Sequence, residues 1–436
     1  MNKVLKVLNL LTSGKMVDRL VHYFDEKASL RSDNIYERQA KMLKRSLSYA
    51  NKNCRYYQKL DIEVNSAKDI TKYPFLTKKM VRENYQEMIS YRAKHMIYHV
   101  AYTGGSTGEP LQFLNSNYLD GYFQEKLWRR NEYRNGDSIL AMDGSTIPDT
   151  DIAQEIYWQE DPAKQLPYGG YVLSSLYLTQ DNIKKYMDYI CKLKPSFIRG
   201  YPSFIYTISK YILDNKIELG FVPKGIELTA ESSFTYQHDI IRAAFGSRLF
   251  QQYGHTECCT FGYTFDDTMR YVIEPLYGYV EVIADDGRNA EIGETGEIVV
   301  TSLHNNVMPL IRYRTGDYAL YGGQDKMGLL LNAIYGRTQD YLINSDSEKV
   351  LLTALIFAQH FSALGNIVQW QIEQYVPGEV VLHVIKGKQY GEKDEVEIAK
   401  LFLQKGKTKV HFDYVDNIPL TPRGKSKMII QHIYLE

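Results

Sequence analysis

The stretch YTGGSTGEP, Tyr102 to Pro110, sets three glycines and the hydroxyls of Thr103, Ser106 and Thr107 between an alternating apolar run and a proline. Bare backbone leaves N–H groups uncovered, and serine or threonine hydroxyls add donors without bulk, so such a loop suits an anion as charged as a triphosphate. Two familiar phosphate loops do not fit. Gly104, Gly105 and Gly108 do not make G-x-G-x-x-G, and no lysine follows as a P-loop requires. The nearest lookalike, RGKSK at Arg423 to Lys427, has Pro419 where the first P-loop glycine belongs. His255 with Cys258 and Cys259 offers a conceivable zinc cluster, but adjacent cysteines rarely share one tetrahedral ion, and small buried thiols are the better reading.

The elements around this loop are legible. Apolar residues at helical spacing from Ser32 to Ala50 predict a helix, and Thr77 is the expected N-cap of KKMVRENYQEM. Met96 to Thr103 alternates like a strand, PLQFL reads as a second one, and a helix containing Trp128 begins near Asn117, so the glycine loop joins two strands. From Ser196, SFIRG, SFIYTISKYILDN, GIELTA, FTYQHDIIRAAF and RLFQQY alternate strand with helix, the pattern of a parallel, doubly wound sheet. Helices vanish between about Tyr271 and Tyr335, where turn signals at Asp285-Asp286-Gly287 and Gly293 to Gly296 predict a β-rich subdomain. The fold class is therefore α/β: an N-terminal domain over 1–336 (helical 1–95, α/β 96–265, β-rich 266–336) and a small mobile α+β lid over 337–436.

A chain of 436 residues exceeds what one hydrophobic core usually holds, which agrees with two domains. Hydrophobic residues at 44% and charged residues at 24% describe an ordinary globular protein, and 52 basic against 52 acidic residues argue against nucleic acid as a partner. The four cysteines form no C-x-x-C pair, which fits a reducing cytoplasm. The opening MNKVLKVLNLLTSGK is interrupted by Lys6 and Asn9, so a transmembrane segment is not expected; an amphipathic helix packed on the body is favoured over one touching a membrane. The 37 tyrosines could line a polar pocket or simply reflect base composition. A homodimer is the expected assembly for a soluble protein of this kind.

TGGSTGEP is one of six ordered stretches, with TAES at Thr229, YGHTE at Tyr253, YRTGD at Tyr313, GRTQD at Gly336 and PLTPRGK at Pro419, that together resemble the adenylate-forming ligase superfamily of acyl-CoA synthetases and peptide-synthetase adenylation domains. Length, N-terminal helices and RGYPS at Arg199 are similar to its phenylacetate-CoA ligase and capsule-biosynthesis (CapK-like) branch. The resemblance implies ATP and Mg2+ as cofactors. Thr103, Gly104, Gly105, Ser106, Thr107 and Gly108 would wrap the phosphates, Glu257 would ligate magnesium, and Thr256 would donate to a phosphate oxygen. Tyr253 and Gly254, with Ala230, Glu231 and Ser232, would meet the adenine; Asp317 would accept from the ribose hydroxyls, and Arg337 would touch the nucleotide from the hinge. Lys425 would stabilise charge developing on a carboxylic acid substrate and the α-phosphate as acyl-AMP and pyrophosphate form.

The second half-reaction stays open between an amine and a thiol acceptor. Coenzyme A users of this superfamily usually carry a glycine-containing turn after the hinge, where this chain reads NSDSEKV without glycine, and that favours an amine of a polysaccharide or cell-surface precursor. Gln339 replaces a common hinge aspartate, and Leu111 stands where many relatives have lysine or threonine. The alternatives are an acyl- or aryl-CoA ligase and a nucleotide-binding partner protein without catalysis; the presence of both Glu257 and Lys425 argues against the latter.

Overall fold

The structure, a computed structural model, describes residues 35–103, 111–117, 119–161, 169–264, 268, 270–337, 341–357 and 362–433. The opening segment, Gly104 to Pro110 and Gln339 lie outside these residues. The chain divides into two compact units, Met1–Arg130 with Gln252–Ile334, and Asn131–Gln251 with Tyr335–Glu436. Strand Leu249–Gly254 carries the chain from the second unit back into the first.

In the first unit, helix Ile35–Asn53 turns Leu43, Leu47 and Ala50 inward at helical spacing. Thr77 caps the next helix as expected, its hydroxyl accepting from the Met80 N–H, but KKMVRENYQEM is two short helices, Lys78–Glu83 and Tyr85–Met88. The helix breaks at Asn84, whose φ of −113° and ψ of 17° leave the helical region while its backbone N–H and its side-chain amide both donate to the Met80 carbonyl. Strand His99–Tyr102 pairs antiparallel with Gln112–Asn115, so the glycine loop does join two strands; the helix after them starts at Asp120, with Asn117 accepting from the Leu119 N–H just before it. The β-rich stretch is formed by Gly278–Ile283, Thr295–Ser302, Tyr313–Gln324, Leu329–Arg337, Tyr271–Ile273 and Phe261–Thr264, neighbours in that order. Gly287 and Gly293, with φ of 87° and 86°, supply the left-handed turns between its first two strands.

The second unit holds the parallel sheet. Its order is Gly225–Thr229, Phe197–Gly200, Ile139–Asp143, Tyr171–Ser174, all parallel, with Trp158–Glu160 antiparallel at the edge. Helices Ile183–Leu193, Pro202–Asp214 and Thr235–Phe245 connect or follow these strands, the right pattern for crossover units. The same unit includes the C-terminal four-stranded sheet, Lys409–Tyr414, Glu379–Lys386, Ile367–Val376 and Ile429–Gln431, against which helix Glu392–Gly406 buries Ile398, Leu401 and Phe402. No helix among the described residues is long and apolar enough to cross a membrane.

Candidate active site

Parallel strands end with their carbonyls and following loops on one edge, where open α/β sheets place ligands. Strand Gly225–Thr229 ends in Ala230, a non-glycine residue at φ 68°. Backbone held in that sparsely populated region costs free energy and persists where surrounding contacts fix it. Those contacts are present: Lys425 donates its ammonium to the Ala230 carbonyl over 2.8 Å, and the next residue, Glu231, accepts from the backbone N–H groups of Ser203 (3.1 Å) and Ser426 (2.8 Å). Burial raises the Glu231 carboxyl, with those donors and the nearby Lys425 opposing it. Lys425 itself closes a tight hairpin in which Thr421 N–H donates to the Lys425 carbonyl and Gly424 N–H to the Thr421 carbonyl, with Gly424 at φ 69°. Its ammonium also stands 5.5 Å from the Tyr201 ring centroid.

Ser233, directly after TAES, sits on a buried polar network. Its hydroxyl donates to Gln251 (2.9 Å) and lies 3.0 Å from His238 Nε2. Burial, reinforced by the Arg242 charge, lowers the His238 imidazole to about 4, which keeps the ring neutral. Arg199 of RGYPS is committed to the buried Glu227, Nε to Oε2 at 2.9 Å.

The first unit holds YGHTE, YRTGD and the strands that flank the glycine loop. Glu257 is buried; Tyr313 donates its hydroxyl to Oε1 over 2.9 Å, and His255 Nδ1 lies 3.3 Å from Oε2. Burial alone would raise this carboxyl, but the His255 charge and these hydrogen bonds outweigh it and bring it down to about 2. Tyr313, the first residue of YRTGD, is the partner the sequence reading missed; its identity is visible in the motif, its direction is not. The neighbouring Arg312 holds that strand in place, its guanidinium bidentate on the buried Glu281 (3.0 and 3.2 Å) and stacked on Phe75. Tyr253 donates to Asp317 Oδ2 over 2.8 Å, and Gly316 at φ 79° turns the chain just before that carboxylate. Thr103 closes the mouth of the glycine-loop hairpin, its hydroxyl accepting from the Leu111 N–H and its own N–H donating to the Leu111 carbonyl.

Thr256 and Gly254 are exposed beside Glu257. Arg337 ends strand Leu329–Arg337. Gly104, Gly105, Ser106, Thr107 and Gly108 fall outside the described residues. Among the described residues no three His, Cys, Asp or Glu side chains form a metal cluster. Cys259 is buried, and burial pushes the Cys258 thiol up to about 11, so neither is poised as a thiolate. Glu257 presents a single ionised carboxylate with Tyr313 on one oxygen and His255 facing the other, so a hard cation there would take its remaining ligands from substrate phosphates and water.

The glycine-free NSDSEKV forms a tight turn nonetheless. Asn344 accepts through its side-chain oxygen from the N–H groups of Asp346 and Glu348, both at 2.9 Å, and Ser347 occupies the left-handed region at φ 63°.

Residues 342–432 match the CapK C-terminal domain family. The chain is 28% identical to Protein CapK of Staphylococcus aureus over 94% of its own length and 93% of that protein's, and 26% identical to phenylacetate-coenzyme A ligase of Aromatoleum evansii over 73% of each. Among solved structures it is similar to 2-hydroxyisobutyryl-CoA ligase in the postadenylation state, with a TM-score of 0.66, 15% identity, and coverage of 90% of this chain and 88% of that one. The mixed α/β fold is thus shared with that CoA ligase.

Proposed function

We propose, taking the adenylate-forming ligase fold as premise, that this chain activates a carboxylic acid with ATP, forming acyl-AMP and pyrophosphate, and then passes the acyl group to an acceptor. The observation that carries the reading is the lysine hairpin: an otherwise flexible ammonium is held 2.8 Å from the Ala230 carbonyl, at the strand end whose motif would meet adenine. In that reading Lys425 stabilises negative charge on the substrate carboxylate and α-phosphate, Tyr253 stacks on adenine, and Asp317, oriented by the Tyr253 hydroxyl, accepts from the ribose. Glu257, kept ionised, would hold Mg2+ with Thr256 beside it, and the ion would neutralise phosphate charge. Residues 104–108 would contribute backbone donors to the phosphates, and Arg337 would contact the nucleotide from the hinge, with 337–436 acting as the lid.

An amine of a polysaccharide or cell-surface precursor is the favoured acceptor, supported by NSDSEKV and by a likeness to Protein CapK that spans more of the chain than the likeness to the CoA ligase. A second reading, an acyl- or aryl-CoA ligase, is favoured by one observation: Ser347 supplies the left-handed turn that a glycine otherwise would, so lack of glycine does not remove the turn. Pyrophosphate release with ATP, Mg2+ and a panel of aryl, fatty, amino and sugar acids, with and without coenzyme A and amines, tests both. Acid-dependent release that vanishes in Lys425→Ala supports adenylation, and release accelerated by coenzyme A selects the thioester. Silence across the panel with intact ATP binding counts against the ligase reading.

A further inference from the structure

Four parallel strands of the second unit end under one hairpin. Strand Ile139–Asp143 runs into Gly144, Tyr171–Ser174 into Ser175, Phe197–Gly200 into Tyr201, and Gly225–Thr229 into Ala230 and Glu231. Each of these ends touches the segment Arg423–Ser426. Ser175 donates its hydroxyl to the Gly424 carbonyl over 2.8 Å, Tyr201 donates to the Arg423 carbonyl over 3.2 Å, Glu231 accepts from the Ser426 N–H, and Ala230 accepts from Lys425. Gly144 makes the closest approach, backbone against backbone. A Cβ at Gly144 would lie 1.8 Å from the Arg423 carbonyl oxygen and 2.9 Å from the Gly424 nitrogen, distances that real Cβ atoms do not show. From the other side, a Cβ at Gly424 would meet Ser175 Oγ at 2.3 Å and the Gly144 Cα at 2.6 Å.

The two glycines differ in kind. Gly424 sits at φ 69°, so its lack of a side chain serves the hairpin's own turn. Gly144 has no left-handed φ, so alanine fits its backbone, and the three atoms nearest to a side chain there all belong to the hairpin resting on it. Hydrogen bonds from Ser175 and Tyr201 then go to carbonyls of Arg423 and Gly424, not to side chains, so the cradle reads the hairpin's path and fixes where Lys425 begins.

We propose that Gly144, with Ser175 and Tyr201, is the docking cradle of the Lys425 hairpin, and that Gly144 is a positioning residue whose missing side chain admits the docked state. The significance for catalysis rests on the proposed adenylation, but docking itself does not, and this separates the two in experiment. The hairpin presents trypsin with Arg423, Lys425 and Lys427, so site-resolved initial cleavage rates of the native full chain report how often it leaves the cradle, without any acid substrate.

Gly144→Ala is expected to raise cleavage at Arg423 and Lys425 about tenfold, the effect of a methyl inserted where there is no room, while cleavage elsewhere and Tm stay at wild-type values. Ser175→Ala, which removes one hydrogen bond and adds no bulk, is expected to raise it a few-fold and keeps the test usable if the first variant folds poorly. In the acid panel, Gly144→Ala then slows acyl-AMP formation by a similar factor with the KM for ATP little changed, a split that a loss of fold would not produce. Unchanged cleavage in both folded variants overturns the cradle. Faster cleavage in a protein that activates no acid upholds the cradle and removes the ligase reading instead.

Discussion

Tyr313 and Glu257 are 56 residues apart in sequence, yet the tyrosine hydroxyl donates to the buried carboxylate over 2.9 Å, tying YRTGD to YGHTE. This bond, with His255 on the other oxygen, lets a buried carboxyl stay ionised down to about pH 2. Its folded value is depressed from 4.5, so the associated stabilisation is complete above pH 4.5 and is lost as pH falls from there toward 2. Tyr313→Phe should remove about 1 kcal/mol and move the Glu257 titration upward. Denaturant midpoints between pH 3 and 7 check this: the variant should begin losing stability at a higher pH than wild type. Glu257→Gln should flatten the curve in that window and abolish most acid activation.

Arg312 is expected to matter for stability more than for chemistry. Its guanidinium satisfies the buried Glu281 and donates to the Tyr73 carbonyl, so Arg312→Met leaves a buried carboxylate without its cation. Removing one member of such a pair typically costs about 3–5 kcal/mol. A urea titration would show the loss, and the double variant Arg312→Met with Glu281→Leu should recover much of it. No recovery would mean that the arginine acts through its stacking on Phe75.

How much of this was legible in the sequence depends on the range of the interaction. Thr77 as a cap, the glycine loop between two strands, and Ala230 at a strand end follow from local rules, because turn chemistry and alternation act over a few residues. The break at Asn84 is local too, but it lies in the backbone angles of one residue, φ −113° and ψ 17°, which periodicity does not register. Ser347 at a left-handed φ shows why an absent glycine is weak evidence: Asn344 holds the turn from outside. Tyr313 on Glu257 and Gly144 under Arg423 join segments far apart in the chain, and no spacing rule carries that information.

His238 gives a second acid-sensitive element, in the other unit and with its own sign. Its folded value of about 4 lies below the ordinary 6.5, so the fold favours the neutral ring; stability is full above 6.5 and falls as pH drops toward 4. Between pH 7 and 4.5 this one group should cost about 2–3 kcal/mol. His238→Gln should be less stable at pH 7, because Ser233 loses its imidazole neighbour, yet show a shallower decline on acidification. Parallel declines for the two proteins would mean that the ring is solvated on protonation without disturbing Ser233.

Lys425 makes the sharpest prediction. Its ammonium donates to a backbone carbonyl and also favours the charge of the buried Glu231 carboxyl, but that carboxyl keeps its bonds from the Ser203 and Ser426 N–H groups when Lys425 is replaced. The variant should therefore fold with a Tm near wild type. If the ammonium stabilises charge in acyl-AMP formation, losing one such donor should slow pyrophosphate release by about 10²–10³-fold at saturating ATP and acid. Transfer of an acyl group from supplied acyl-AMP to the acceptor does not develop charge on an attacking carboxylate, so that half-reaction should survive in the same variant. Lys425→Arg discriminates further: it keeps the charge but replaces a compact ammonium by a planar fork that does not fit the single Ala230 carbonyl, and should recover only a small part of the rate. Equal loss of both half-reactions in Lys425→Ala would assign the lysine to general nucleotide binding and not to the adenylation step.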